Sequence, residues 1–145
     1  TNILCPVNFS DVARESLRYA ANLAETFHAR LTIVHVLESD EVTNLTADEE
    51  RVRQWVAPEL RARCSYREVV VRGGPAERVL DCAEDLEADL LVVGAQHKLF
   101  RDATVIGTTT ERLIRFASCP VLIVPRPARR GRSEVESEVE AGALT

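Results

Sequence analysis

The residues of this chain best suited to chemistry lie in one run, "VVGAQHKLFRDATVIGTTTERL", from Val92 to Leu113. It leaves an apolar stretch at Gly94, crosses a polar loop, and resumes at Gly107 with Thr108, Thr109 and Thr110. Glycine lets a ligand approach the backbone, and hydroxyls at a helix start sit beside free N–H groups and the positive end of the helix dipole. That is the chemistry of anion binding, phosphate above all. The same residues also suit a well-capped helix start, because Thr108 and Glu111 have the spacing of a capping box. Spacing alone leaves both readings open. A second candidate is "PVNFSD", Pro6 to Asp11, where another apolar run ends in a turn with Ser10 or Asp11 placed to cap a helix. The common nucleotide fingerprints G-x-x-x-x-G-K-[ST] and G-x-G-x-x-G do not occur.

The elements that must carry these loops follow from hydrophobic periodicity. "NILCPV" predicts a strand, and Val12, Leu17, Ala20, Ala21, Leu23, Ala24 and Phe27 then form one apolar helical face. "RLTIVHVLE", "SYREVVV", "ADLLVVGA" and "PVLIVP" predict four further strands. Helices are expected from about Thr46, with a break at Pro58, from Pro75 to about Glu87, and over "TTERLIRFAS". Strand and helix alternate throughout, and the strands are apolar without interruption. That pattern requires a parallel sheet covered by helices on both faces, a doubly wound, Rossmann-like α/β domain. Residues 1–125 form it. From Arg126 to Thr145 the composition turns to arginine and then to glutamate at alternate positions, which predicts a flexible, charged C-terminal tail.

Composition narrows the function. At 145 residues the chain is one domain with room for a real core. A net charge of -5 argues against a basic nucleic-acid surface. The apolar runs are too short to cross a bilayer, and no leader pattern opens the sequence, so a cytoplasmic location without membrane attachment is expected. Cys5, Cys64, Cys82 and Cys119 are widely spaced and read as small buried hydrophobes, with no metal site. His28 suits a helix end, and His35 reads as a hydrogen-bonded strand residue. His97 with Asp102 lacks a nucleophile partner, so no dedicated active site is expected, and at most slow ATP hydrolysis. Trp55 reads as packing.

With these residues in view, the chain resembles the universal stress proteins. The likeness runs from Asn2 to Pro125 and is carried by "ILCPVNFSDVARESLRYAANLA", "LTIVHV", "GGPAERVLDCAEDLEADLLVVGA" and "GTTTERLIRFASCPVLIVP". It implies a five-stranded parallel sheet ordered 3-2-1-4-5, with ligands at the ends of strands 1 and 4. The ATP-binding branch of the family resembles G-x-x-G-(nine residues)-G-[ST]. Gly94 and Gly107-Thr108 match that pattern, and His97 stands where its middle glycine would be. Asn8 stands where ATP-binding relatives carry an acid. The resemblance implies that Pro6, Val7, Asn8, Val36 and Val93 surround the adenine and ribose. Gly94, His97, Gly107, Thr108, Thr109 and Thr110 would then face the phosphates, with Lys98 and Arg101 as nearby charges and magnesium as a possible companion. ATP would order the loop from Ala95 to Ile106, and the ordered surface would act as a signalling or stress-response module. The family also has a branch without the motif that works through protein interaction and binds no nucleotide. Finally, the last strand, Val121 to Val124, would be a sheet edge, and pairing it with a second copy implies a homodimer.

Overall fold

In a strand, successive side chains point to opposite faces, so a strand apolar at every position must be covered on both. The computed structural model, which describes residues 1–38, 44–56, 60, 63–95 and 107–125, realises this with five parallel strands. They are β1 (Asn2–Pro6), β2 (Arg30–Leu37), β3 (Tyr66–Arg72), β4 (Leu90–Gly94) and β5 (Val121–Val124), in the spatial order β3-β2-β1-β4-β5. The helices are α1 (Asp11–Phe27), α2 (Leu45–Trp55), α3 (Pro75–Asp85) and α4 (Thr108–Phe116). The predicted order and the doubly wound arrangement are both present.

One face of the sheet packs Ile3, Cys5, Val7, Leu31, Ile33 and Val92 against Leu17, Ala20, Ala21 and Ala24 of α1 and Val52 of α2. The other packs Leu4, Val34, Leu91 and Val93 against Val79 and Ala83 of α3 and Leu113 of α4. Register fixes which side chains go where: β1 lies beside β2 with Cys5 opposite Ile33, and beside β4 with Leu4 opposite Leu91. A one-residue slip would exchange the two faces.

Local chemistry sets the helix ends. Ser10 caps α1, its Oγ accepting from the Ala13 N–H at 3.1 Å. Asn44 caps α2 in the same way, accepting from the Thr46 N–H. α1 ends at His28 in the left-handed region, where its N–H donates to the Ala24 carbonyl. Phe27, expected on the buried face of α1, is instead 64% exposed, because the chain turns off the sheet at His28. Pro58 and the tail from Arg126 onward lie outside the described residues.

Of the four cysteines, Cys5 alone is fully buried, and the other three are half-buried. Burial pushes the Cys5 thiol up to about 12. The folded chain therefore keeps a proton on Cys5 at pH values where the unfolded chain has lost it, so its contribution to stability is complete below the ordinary thiol range and disappears as pH rises toward about 12. Thiol labelling of the native protein at pH 8 is expected to modify Cys64, Cys82 and Cys119 well before Cys5. Peptide mapping of the labelled protein checks the order; early labelling of Cys5 would contradict the packing.

Candidate functional site

The carboxyl ends of parallel strands are where a doubly wound sheet binds ligands, at the point where strand order reverses. Here that point lies between β1 and β4. A cavity of about 770 Å³ opens there. Its walls come from Pro6 to Ser10 at the end of β1, from Val34 to Glu38 at the end of β2, from Pro75 and Val79 of α3, and from Gly94 and Gly107 to Thr110. Residues far apart in sequence thus share one surface, and the volume is in the range that holds a small cofactor.

Gly94 is required by packing. A Cβ there would lie 2.3 Å from Val12 Cγ1 and 3.2 Å from Ser16 Oγ, so α1 rests directly on the end of β4. Thr110 ties α4 to the same residue: its Oγ1 donates to the Gly94 carbonyl at 2.8 Å, and the side chain is buried. Thr108 does not form the expected capping box. The cap is Gly107, at φ -62 and ψ 152, with no side-chain hydrogen bond, which makes Thr108 the first helical residue. Glu111 turns outward to Arg115 at 2.8 Å instead of reaching back. A glycine offers the same extended backbone as a threonine cap, without the oxygen, so spacing alone could not place the cap. As a result, the start of α4 lies on the cavity wall with no capping side chain from its own N-cap residue.

Asn8 also differs from expectation. Its Oδ1 accepts from Ser10 Oγ at 2.6 Å and from the Ser10 N–H at 3.3 Å, an Asx-turn that leads into the α1 cap. With the acceptor oxygen used in the turn, the amide nitrogen is the group left for a ligand, so Asn8 offers a donor where an acid would accept. Val93 does not line the cavity. It is 2% exposed and faces α3 and α4, since it alternates with Gly94 along β4. His97, Lys98, Arg101 and Asp102 lie outside the described residues.

Several wall residues escaped sequence reasoning. Phe9 has φ 62, an uncommon conformation for an aromatic residue. Its ring lies 4.6 Å from His35 and 5.7 Å from Trp55, centroid to centroid, with the Arg51 guanidinium 4.2 Å above it. Arg14 covers Trp55 at 4.5 Å. These contacts fasten α2 to the rim of the cavity. The Asn8-x-Ser10 spacing was a readable sign of the turn; the positive φ at Phe9 was not.

Residues 1–125 match the Universal stress protein family profile. The chain belongs to that family. Among relatives, the universal stress protein MJ0531 of Methanocaldococcus jannaschii is 28% identical over 141 residues, covering 88% of this chain and 83% of its own. A Thermus aquaticus universal stress protein is 29% identical over 134 residues, covering 84% of this chain and 96% of its own. Among solved structures, MJ0577 superposes with a TM-score of 0.75 at 24% identity, over 88% of this chain and 97% of that one. The Archaeoglobus fulgidus universal stress protein solved in complex with dAMP superposes at 0.68 with 22% identity, over 86% and 97%. A further universal stress protein was solved in complex with cAMP, at 0.68 and 21% identity over 86% and 96%. The fold is therefore one whose relatives include nucleotide-bound proteins.

Two substitutions test the local geometry. Gly94→Ala is expected to destabilise the protein by about 1–3 kcal/mol through overpacking against Val12. Thr110→Val, which leaves the Gly94 carbonyl without its partner, is expected to cost about 1–3 kcal/mol. Urea denaturation of each variant measures both.

Proposed function

We propose that this protein binds an adenine nucleotide, ATP with magnesium, in the cavity between β1 and β4, and acts as a stress-response or signalling module whose bound state is read by another component. The observation that carries this reading is the start of α4 on the cavity wall, where Gly107 supplies no capping side chain. The helix N-terminus there, with the hydroxyls of Thr108 and Thr109 close by, suits phosphate oxygens. Pro6, Val7 and Val36 supply an apolar surface for a base. Asn8 would donate to a ribose hydroxyl, and Gly94 would lie beneath the sugar–phosphate junction. Among the described wall residues Glu38 is the carboxylate, and it stands at the β2 end, so magnesium would be held chiefly by phosphates and water. The dAMP- and cAMP-bound relatives support the ligand class. His97 and the loop from Ala95 to Ile106 enter the proposal from sequence: ATP would order that loop.

The test is nucleotide recovered from freshly purified protein after denaturation, followed by thermal melting with and without MgATP. Recovered ATP or a raised Tm is expected, about 2.7 kcal/mol of added stability at a hundredfold excess over Kd. An empty protein with an unmoved melt would overturn the reading in favour of a nucleotide-free interaction protein. In that case ATP binding gained by His97→Gly would identify the imidazole as the block.

The same proposal includes a homodimer paired along β5. That strand is a sheet edge in the order given above, and Leu122 on it is 38% exposed. An apolar edge of this kind is usually covered. Sedimentation at micromolar concentration is expected to give a dimer that Leu122→Lys shifts toward monomer; a monomeric wild-type protein would count decisively against the pairing.

A further inference from the structure

Side chains from the β1–α1 turn, from α1 and from α2 meet at the rim of the cavity. The Arg51 guanidinium lies 4.2 Å above the Phe9 ring, Phe9 stands edge-on to Trp55 at 5.7 Å, and the Arg14 guanidinium covers Trp55 at 4.5 Å. Both arginines therefore rest on a ring by their flat face. Neither is ion-paired to another described residue. The carboxylates next to them in sequence have other partners: Glu15 pairs with Arg18 at 3.6 Å and Glu50 with Arg53 at 2.9 Å. A guanidinium stacked by its face keeps its N–H donors pointing outward in its own plane, where they match the two oxygens of a carboxylate. Stacking also restrains the long side chain beforehand, so less freedom is lost on pairing. The rim is thus suited to a run of carboxylates.

The chain carries such a run. Residues 133–140 read "SEVESEVE", with Glu134, Glu136, Glu138 and Glu140 at alternate positions, and an extended backbone would set all four on one side at a repeat of ~6.7 Å. These residues lie outside the described ones, but the point from which they depart does not. The Ala95 N–H donates to the Val124 carbonyl at 3.1 Å, which holds the last residue of β5 beside the end of β4. The chain therefore leaves the sheet at its carboxyl edge, the edge on which the cavity opens. Only β4 lies between β5 and β1, so the rim at Phe9 is about 10 Å away at the usual strand spacing. Glu134 stands nine residues beyond Pro125, a reach of up to about 30 Å.

We propose that the acidic run of residues 134–140 docks on this rim in the same chain, its carboxylates accepting hydrogen bonds from the Arg51 and Arg14 guanidinium groups, so that the tail is anchored at the cavity mouth. Exposed ion pairs are individually weak. Here the acidic partner is tethered, and a short linker holds it at an effective concentration on the order of millimolar, which lets several weak pairs act together. The docking follows from charge and reach and does not depend on what the cavity binds.

The experiment exploits the scarcity of lysine, since Lys98 is the sole lysine of the chain. In the full chain carrying Arg51→Lys or Arg14→Lys, a water-soluble carbodiimide joins the introduced amine to a carboxylate where the two are in contact, and peptide mapping identifies the pair. Mixing unlabelled with isotopically labelled protein separates links within a chain from links between chains. Cross-links within one chain from positions 14 and 51 to the tail glutamates are expected. Their yield should be severalfold above that of Arg63→Lys, whose partner Glu25 lies near the far end of α1, and they should be lost at about 1 M salt, where screening is nearly complete. Equal tail cross-linking from position 63 would overturn the rim as the docking place, and links joining two chains would overturn the same-chain assignment. Absence of any tail link from positions 14 and 51 would overturn the docking itself. A second measurement leaves the arginines intact: Glu134→Gln, Glu136→Gln, Glu138→Gln and Glu140→Gln together are expected to shift the Nε resonances of Arg14 and Arg51, and unmoved resonances would overturn the proposal independently.

Discussion

The close approach of α1 to the end of β4 is the contact from which the rest of the site follows. Val12 occupies the space that any side chain at residue 94 would need, so the helix lies nearer the sheet than a larger residue would permit. That approach fixes where α1 begins, and hence where the Asn8–Ser10 turn can sit. It also leaves the Gly94 carbonyl within reach of Thr110, which anchors α4 from the opposite face. Two helices on opposite sides of the sheet are thereby referred to one residue, and the cavity is the gap between their starting points.

Electrostatics then distinguishes the two helix starts. α1 is satisfied by its own chain, through Ser10 and the Asn8 oxygen behind it. α4 begins at a glycine, which has no side chain to cap it. Identical backbone dipoles are therefore met differently by the two N-cap residues: a serine closes one, and a glycine leaves the other without a cap of its own. In the proposed nucleotide complex this asymmetry would orient the ligand, with its negative end at α4 and its less polar end among Pro6, Val7 and Val36.

The architecture was legible because it depends on patterns that average over many residues. Five apolar runs alternating with amphipathic segments permit few arrangements, and the spacing of Gly94, Gly107 and Thr108 located the cavity. What could not be read depends on single dihedral angles and on competition for single atoms. Thr108 and Glu111 have the letters of a capping box, yet a one-residue shift of the helix start to Gly107 removes it. Asn8 was recognised as a wall residue, but its oxygen is claimed by Ser10, two positions away. Val93 lies on the same face as the wall residues Val34, Val36, Val79 and Leu113 but is packed behind them at 2% exposure, a depth that strand pattern alone does not reveal. His35 is the hydrogen-bonded strand residue that was expected, but its partner, a carbonyl 28 residues earlier, could not be named from sequence.

Trp55 is the sole tryptophan of the chain. It stands edge-on to Phe9 and beneath Arg14, where α2 meets the cavity rim. Excited where tyrosine does not absorb, the intrinsic fluorescence of the protein is consequently the emission of one ring at one place. Any rearrangement of Phe9 relative to α2 changes the polarity and the charge around that ring, so the molecule carries a built-in optical probe of its own cavity rim.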